Sequence, residues 1–271
     1  MDYQILVLDL DGTLTNSKKE ITPETAEAII DIQKKGKKVV LASGRPTRGI
    51  LPLARQLRLG DYGSYILSFN GARITDCRSG KVIYNRLLPS GAAETIYRLA
   101  GSFSGEGADL LTYTDTYILS GIRLNRYSLL ESRINHMPAV ECRNFLEAIP
   151  DKINKFLATG EPEVIARMKD CMTHVFRSYL NIYCSDPFFL EIMPQAIDKA
   201  HSLSKLLASI GIPTDHMICC GDGYNDITMI EAAGLGVAMA NAQPLVREKA
   251  DYITSSNDDN GVLHVINQFM R

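Results

Sequence analysis

No apolar run in the 271 residues approaches the roughly 20 that a membrane helix needs, so no spanning segment is expected. There is no excess of charge of one sign either. Twenty-nine Lys and Arg stand against 31 Asp and Glu, for a formal charge of −2 and a pI near 6.2. That balance leaves no broad positive field for nucleic acid and no polybasic stretch for anionic lipid, so a small-molecule partner is the better starting point. The five histidines never fall three or four residues apart, which removes the spacing that marks many zinc sites. The six cysteines are scattered at Cys77, Cys142, Cys171 and Cys184 or paired as Cys219-Cys220 in an apolar segment, and they read as packed thiols rather than a disulfide framework. From Met1 the chain runs straight into the strand-like Ile5-Leu6-Val7-Leu8 with no export leader, so the expected location is the cytoplasm. Internal repeats and low-complexity tracts are absent; Ser255 to Asn260 is a short polar loop.

What is present is 45% hydrophobic residues, enough for one sizeable core or for a core with a smaller accessory domain. The opening third alternates strand and helix. Residues 4 to 8 form an apolar strand; Thr22-Pro23 supplies a cap and a first-turn proline for a helix to Lys35, which Gly36 stops. Lys38 to Ala42 is the next strand, Pro46 opens a helix to about Leu57, and Tyr65 to Ser68 is a third strand. After Met193 the rhythm returns with a helix Lys199 to Ile210, strand His216 to Cys220, helix Asn225 to Ala233, strand Leu235 to Ala238 and helix Pro244 to Lys249. Between them lie a helix near Ser90 to Leu99 and β-rich runs at Leu110 to Leu119, Ile153 to Ala158 and Val175 to Ile192. The pattern predicts an α/β, doubly wound, Rossmann-like parallel-sheet core made of residues 1–85 and 192–271, with an inserted α+β domain over 86–191. Hinges are expected near Tyr84 to Pro89 and Glu191 to Pro194, where prolines punctuate the chain.

Chemistry-bearing residues cluster just after the expected strands, where open α/β sheets place their ligands. Asp9-Leu10-Asp11-Gly12-Thr13-Leu14-Thr15 follows the first strand. Two carboxylates two residues apart share one side of an extended segment, and Gly12 lets the backbone turn its N–H groups toward an anion. Such a pair suits metal binding with acid/base work: Asp9 can face both Mg²⁺ and phosphorus, while Asp11 gives and takes a proton. An acidic capped turn would look the same in isolation. Three more pieces argue against it. Ser43-Gly44-Arg45 follows the second strand, where Ser43 and a neighbouring N–H can hold a phosphoryl oxygen. Gly221-Asp222-Gly223-Tyr224-Asn225-Asp226 follows a later strand; Asp9, the Asp11 carbonyl and Asp222 would supply an octahedral Mg²⁺ with its protein oxygens, with Asn225 serving phosphate and Asp226 the surroundings of the metal. Lys199, at the start of a helix, is the candidate cation to offset these charges.

The runs DLDGTLT, SGR, a lysine and GDGYND at these spacings resemble the four motifs of haloacid dehalogenase-superfamily phosphatases. The insertion, together with Phe69-Asn70-Gly71-Ala72, is similar to the type IIB, Cof-like hydrolases with an α/β cap. The resemblance covers essentially the whole chain. It implies a Mg²⁺-dependent phosphomonoester hydrolase acting on a small phosphorylated metabolite, such as a sugar phosphate, through an aspartyl phosphate. By position it makes Asp9 the nucleophile, Asp11 the general acid/base, Lys199 the charge partner, and Asp222 a metal ligand with Asp9 and Asp11. Leu10, Ser43, Gly44, Arg45, Asn70 and Asn225 become phosphate or substrate contacts, and Asp226 orients the lysine or metal-bound waters. The segment departs from the family at Ala200, where glycine often follows the motif lysine. A mutase of the same superfamily and a phosphometabolite-binding protein without turnover stay open as alternatives, as does the oligomeric state.

Overall fold

The computed structural model describes residues 2–271, which divide into two compact units: residues 2–84 with 198–271, and Asn85–Ile197. The first contains an eight-stranded sheet in the order Tyr252–Ile253, Leu235–Ala238, Met217–Gly221, Ile5–Leu8, Lys38–Ala42, Tyr65–Ser68, Arg73–Asp76, Val82–Asn85. The pairings from Tyr252–Ile253 through Tyr65–Ser68 are all parallel, and Arg73–Asp76 returns antiparallel. The first and last thirds of the chain thus share one sheet, as the βα rhythm predicts. Strand Ile5–Leu8 lies at its centre between Met217–Gly221 and Lys38–Ala42, and all four of its residues are fully buried. A parallel strand covered on both faces reads as an unbroken apolar run, which is why ILVL stands out in the sequence. Leu6 and Leu8 pack with Ile29, Ile32, Ile218 and Ile266 on one face, while Ile5 and Val7 pack with Leu203, Leu206 and Met229 on the other.

Several elements fall where the residues place them. Helix Pro23–Lys34 starts with Thr22 accepting from the Thr25 N–H, Lys199–Ile210 starts with Asp198 accepting from the His201 N–H, and Gly211 ends that helix in the left-handed region. The expected helix Asn225 to Ala233 divides into a 3₁₀ turn, Tyr224–Asp226, and a short helix, Ile227–Glu231.

The second unit holds a six-stranded sheet in the order Leu180–Asp186, Phe189–Pro194, Phe156–Thr159, Asp109–Tyr113, Ile118–Ser120, Ala139–Glu141, mostly antiparallel. Leu110, Phe156, Ala158, Leu190 and Ile192 form a core with Ile96, Ile165, Met168 and Met172 of two helices, Ala92–Gly101 and Pro162–Phe176. A third helix, Arg126–Asn135, buries polar residues instead: Ser128, Glu131 and Asn135. Ser128 donates to the fully buried Asp109 carboxylate at 2.7 Å, and the Tyr113 hydroxyl donates to Glu131 at 2.6 Å. The β-rich run expected at Leu110 to Leu119 is two strands, and Val175 to Ile192 begins in the last turn of helix Pro162–Phe176. Strand Phe189–Pro194 runs unbroken through the expected boundary at residue 192, so this unit continues to Ile197.

Candidate active site

The candidate residues assemble at the carboxyl ends of neighbouring parallel strands. Asp9 follows Ile5–Leu8, Ser43 follows Lys38–Ala42, Asn70 follows Tyr65–Ser68, and Asp222 follows Met217–Gly221. At the centre is Lys199, whose ammonium is wholly buried. It donates to Asp9 Oδ1 at 2.6 Å, to Asp226 Oδ1 at 2.6 Å and to the Ala42 carbonyl at 2.8 Å, so its three N–H donors are all used. Lys205, the other lysine on that helix, is exposed.

Asp226 is equally committed. Its second oxygen accepts from the backbone N–H groups of Asp222 (3.0 Å) and Gly223 (2.9 Å), which folds the GDGYND loop around one buried carboxylate. Asp222 accepts from the Thr13 hydroxyl at 2.8 Å and lies against Gly12. Gly12 has φ +87°, and a Cβ there would come within 2.8 Å of Asp222 Cγ, so glycine is needed both for the turn and for the close approach of the two loops. The carboxylate oxygens of Asp9, Asp222 and Asp226 lie within 4.8 Å of one another. Oxygen donors with no thiol or imidazole among them are the set a hard divalent cation prefers, so these residues fit Mg²⁺.

The electrostatics follow from crowding. Burial, then the facing Asp226 carboxylate, pushes Asp9 well above the ordinary aspartate value against the pull of Lys199. Burial alone would lower Lys199, but the charges of Asp226 and Asp9 outweigh it and hold the ammonium charged. Burial also raises Asp222, to about 6.

Asp11 is placed differently. Its side chain turns away from the acidic cluster and accepts a two-pronged contact from Arg45, Nε to Oδ2 at 2.8 Å and a terminal nitrogen to Oδ1 at 2.6 Å, with Lys19 Nζ at 2.8 Å. Burial works to raise its pKa, yet Arg45 and Lys19 overcome that and leave it below the ordinary range. Ser43 is buried, its hydroxyl accepting from the Arg45 N–H at 3.2 Å, and Asn70 receives a hydrogen bond from Asn225 at 3.1 Å. Phe69 and Asn70 both have positive φ, 53° and 50°, a strained turn that brings the Asn70 side chain against Gly44. Leu10 is buried; its carbonyl accepts from the N–H and the hydroxyl of Thr15, both at 2.9 Å.

A family model for haloacid dehalogenase-like hydrolases matches residues 6–266. The chain belongs to that family. A solved haloacid dehalogenase-like hydrolase from Bacteroides thetaiotaomicron is 42% identical, with a TM-score of 0.94 over 98% of this chain and 99% of that one. The TM0651 structure from Thermotoga maritima is 27% identical, with a TM-score of 0.85 over 99% and 98% of the two chains. Among curated relatives, the 5-amino-6-(5-phospho-D-ribitylamino)uracil phosphatase YcsE of Bacillus subtilis is 29% identical over 100% of this chain and 97% of its own. Within the haloacid dehalogenase-like hydrolases this chain is a phosphatase.

Some neighbours of the site have no signature in the sequence. Lys19 sits in a short exposed turn and looks like any surface lysine, and Thr13 is one polar residue inside the DLDGTLT run. Asn241, which donates to the Gly12 carbonyl at 2.8 Å, is more than two hundred positions away from its partner. Among the described residues no helix is long and apolar enough to cross a membrane.

Proposed function

We propose that this haloacid dehalogenase-family phosphatase is a Mg²⁺-dependent hydrolase of small phosphomonoesters, sugar phosphates or compounds of similar size, working through an aspartyl phosphate on Asp9. The observation that carries the reading is the buried Lys199 ammonium, held between the carboxylates of Asp9 and Asp226 beside a third, Asp222. Such a lysine compensates charge at a site built to receive more negative charge.

Asp9, Asp222 and the backbone carbonyl of Asp11 would hold the metal, with Asp226 orienting its waters rather than binding it, because both Asp226 oxygens already accept hydrogen bonds. Bound Mg²⁺ would offset the negative charge of the phosphoryl group and of the carboxylate that approaches it. Lys199 donates to Asp9 Oδ1 and so fixes the orientation of the carboxylate that attacks phosphorus. The P–O bond to the leaving group breaks as the bond to Asp9 forms. Asp11 gives its proton to the departing alkoxide, then takes one from the water that attacks the mixed anhydride, releasing inorganic phosphate and restoring Asp9. Ser43, the Gly44 N–H, Asn225 and the N–H of Leu10 are the proposed phosphate contacts. For Asp11 to serve as an acid, the Arg45 fork must release it; a substrate phosphate is a competing acceptor for that guanidinium. The inserted unit, residues 85–197, is proposed to choose the substrate.

The test is a phosphomonoester panel with and without Mg²⁺. Metal-dependent release of phosphate from hexose- and pentose-sized esters, with a phosphopeptide far poorer, supports the reading. Turnover that survives complete removal of divalent metal contradicts it. Release of an isomeric phosphosugar in place of inorganic phosphate would reassign the chain as a mutase.

A further inference from the structure

The polar loop Ser255–Asn260 has no part in the chemistry above, yet its side chains converge on the segment that carries Asp11. Asn257 Nδ2 donates to the Thr15 carbonyl at 2.9 Å, and Asp258 Oδ1 accepts from the Ser17 N–H at 2.7 Å. Asn260 Oδ1 accepts from the Thr22 hydroxyl at 2.6 Å. The loop is joined to a second one: the Asn257 N–H donates to Asn241 Oδ1 at 3.0 Å, and Asn241 Nδ2 donates to the Gly12 carbonyl at 2.8 Å. Asn241 follows strand Leu235–Ala238, and Asn257 begins the 3₁₀ turn after Tyr252–Ile253. Two loops from the edge of the sheet therefore reach the loop leaving its central strand and hold it just after Asp11, at Gly12, Thr15 and Ser17.

We infer that Asn241, Asn257 and Asp258 are positioning residues that set where Asp11 stands for proton transfer. The inference rests on the acid/base role proposed for Asp11. Between Asp9 and Thr15 the chain has some order of its own: a β-bridge pairs Asp11 with Thr15, the Leu14 N–H reaches the Asp9 carbonyl at 3.2 Å, the Thr13 N–H reaches the Leu10 carbonyl at 3.4 Å, and Thr15 bonds to Leu10. The Thr13 bond is long for N–H···O, and both ends of this turn, Gly12 and Thr15, are held in addition from outside by Asn241 and Asn257. Arg45 and Lys19 hold the Asp11 carboxylate only until it must move; the Asn241–Asn257 pair holds the backbone throughout. A displacement of about 1 Å in a catalytic group can cost about 10²-fold in rate, so a brace of this kind has kinetic consequences without touching substrate.

The experiment measures the phosphorylation step in single turnover for a series of esters of rising leaving-group pKa, from p-nitrophenyl phosphate to a hexose phosphate. Asn241→Ala and Asn257→Ala should each lose about 10- to 100-fold with the hexose phosphate and only a few-fold with p-nitrophenyl phosphate, because only the poor leaving group needs a well-placed proton. The dependence of rate on leaving-group pKa should steepen, and KM for Mg²⁺-saturated enzyme should change little. Asp258→Asn, which keeps an acceptor for the Ser17 N–H, should behave as wild type, whereas Asp258→Ala should follow the other two. Introducing Asn241→Ala into Asp11→Asn should add almost nothing. Equal losses with all esters, no loss, or full additivity in the double variant would overturn the brace while leaving Asp11 as the acid. If Asp11→Asn itself shows no leaving-group dependence, the acid role falls and this inference with it. Should Asn241→Ala fail to fold, Asn257→Ala and Asp258→Ala decide the matter by the same criteria.

Discussion

Replacing Lys199 with methionine removes the one buried ammonium that separates Asp9 from Asp226 and keeps a side chain of similar length. Three hydrogen bonds at 2.6, 2.6 and 2.8 Å disappear, and two buried carboxylates are left facing each other beside Asp222. Removing one partner of a buried charge pair costs about 3–5 kcal/mol, because the remaining charge is neither solvated nor paired. A carboxylate in that position relieves part of the cost by taking up a proton, which for Asp9 also removes the nucleophile. Lys199→Met should therefore lose about 3–5 kcal/mol in urea unfolding of the metal-free protein and at least about 10²-fold in turnover. Adding Asp226→Asn removes one of the two facing charges, so the double variant should regain part of the stability but not the activity. Lys205→Met, on the exposed side of the same helix, should change neither. A Lys199→Met variant as stable as wild type, or a double variant less stable than the single one, would contradict this role for Lys199.

Gly12→Ala places a methyl group against the Asp222 carboxylate at φ +87°, so Mg²⁺ affinity measured by calorimetry should fall by at least about tenfold while Ser43 and the strands behind it stay in place. In the inserted unit, Lys155 and Glu191 form an ion pair at 2.9 Å with both side chains almost wholly buried, so Lys155→Met should destabilise the protein by about 3–5 kcal/mol in urea unfolding. Pairing it with Glu191→Leu should restore much of that; no recovery would mean the two charges are not each other's main partner. Asp11→Asn should hurt sugar phosphates far more than p-nitrophenyl phosphate in single-turnover phosphorylation, and equal losses would remove Asp11 from the role of acid.

The central sheet is legible because its strands are apolar on both faces and its helices begin and end on residues with one physical job each, such as Thr22 and Asp198 as caps and Gly211 as a stop. The inserted unit is harder to read for a matching reason. Helix Arg126–Asn135 turns Ser128, Glu131 and Asn135 inward to meet Asp109 and Tyr113, so the side that is buried is polar and the helical periodicity of apolar residues is missing. Helix Pro162–Phe176 does carry that periodicity, at Val164, Ile165, Met168 and Met172, but it runs into a β-rich stretch within a few residues. In the site, the motif residues come together where their strands end. What the sequence does not carry is direction: nothing in it pairs Arg45 with Asp11, the contact that the structure shows. Asn241 and Asn257 are invisible for a further reason, since a single amide reaching a distant carbonyl leaves no local pattern.

The claim that phosphate passes through Asp9 is open to direct measurement. The enzyme with saturating Mg²⁺ is mixed with a labelled phosphomonoester, quenched in acid within the first turnover, digested and mapped by mass spectrometry. The account predicts one phosphoryl group on the peptide containing Asp9, cleaved by hydroxylamine as an acyl phosphate should be, and absent from Asp9→Asn. Label on another residue, or full-rate release of inorganic phosphate from Asp9→Asn, would contradict it.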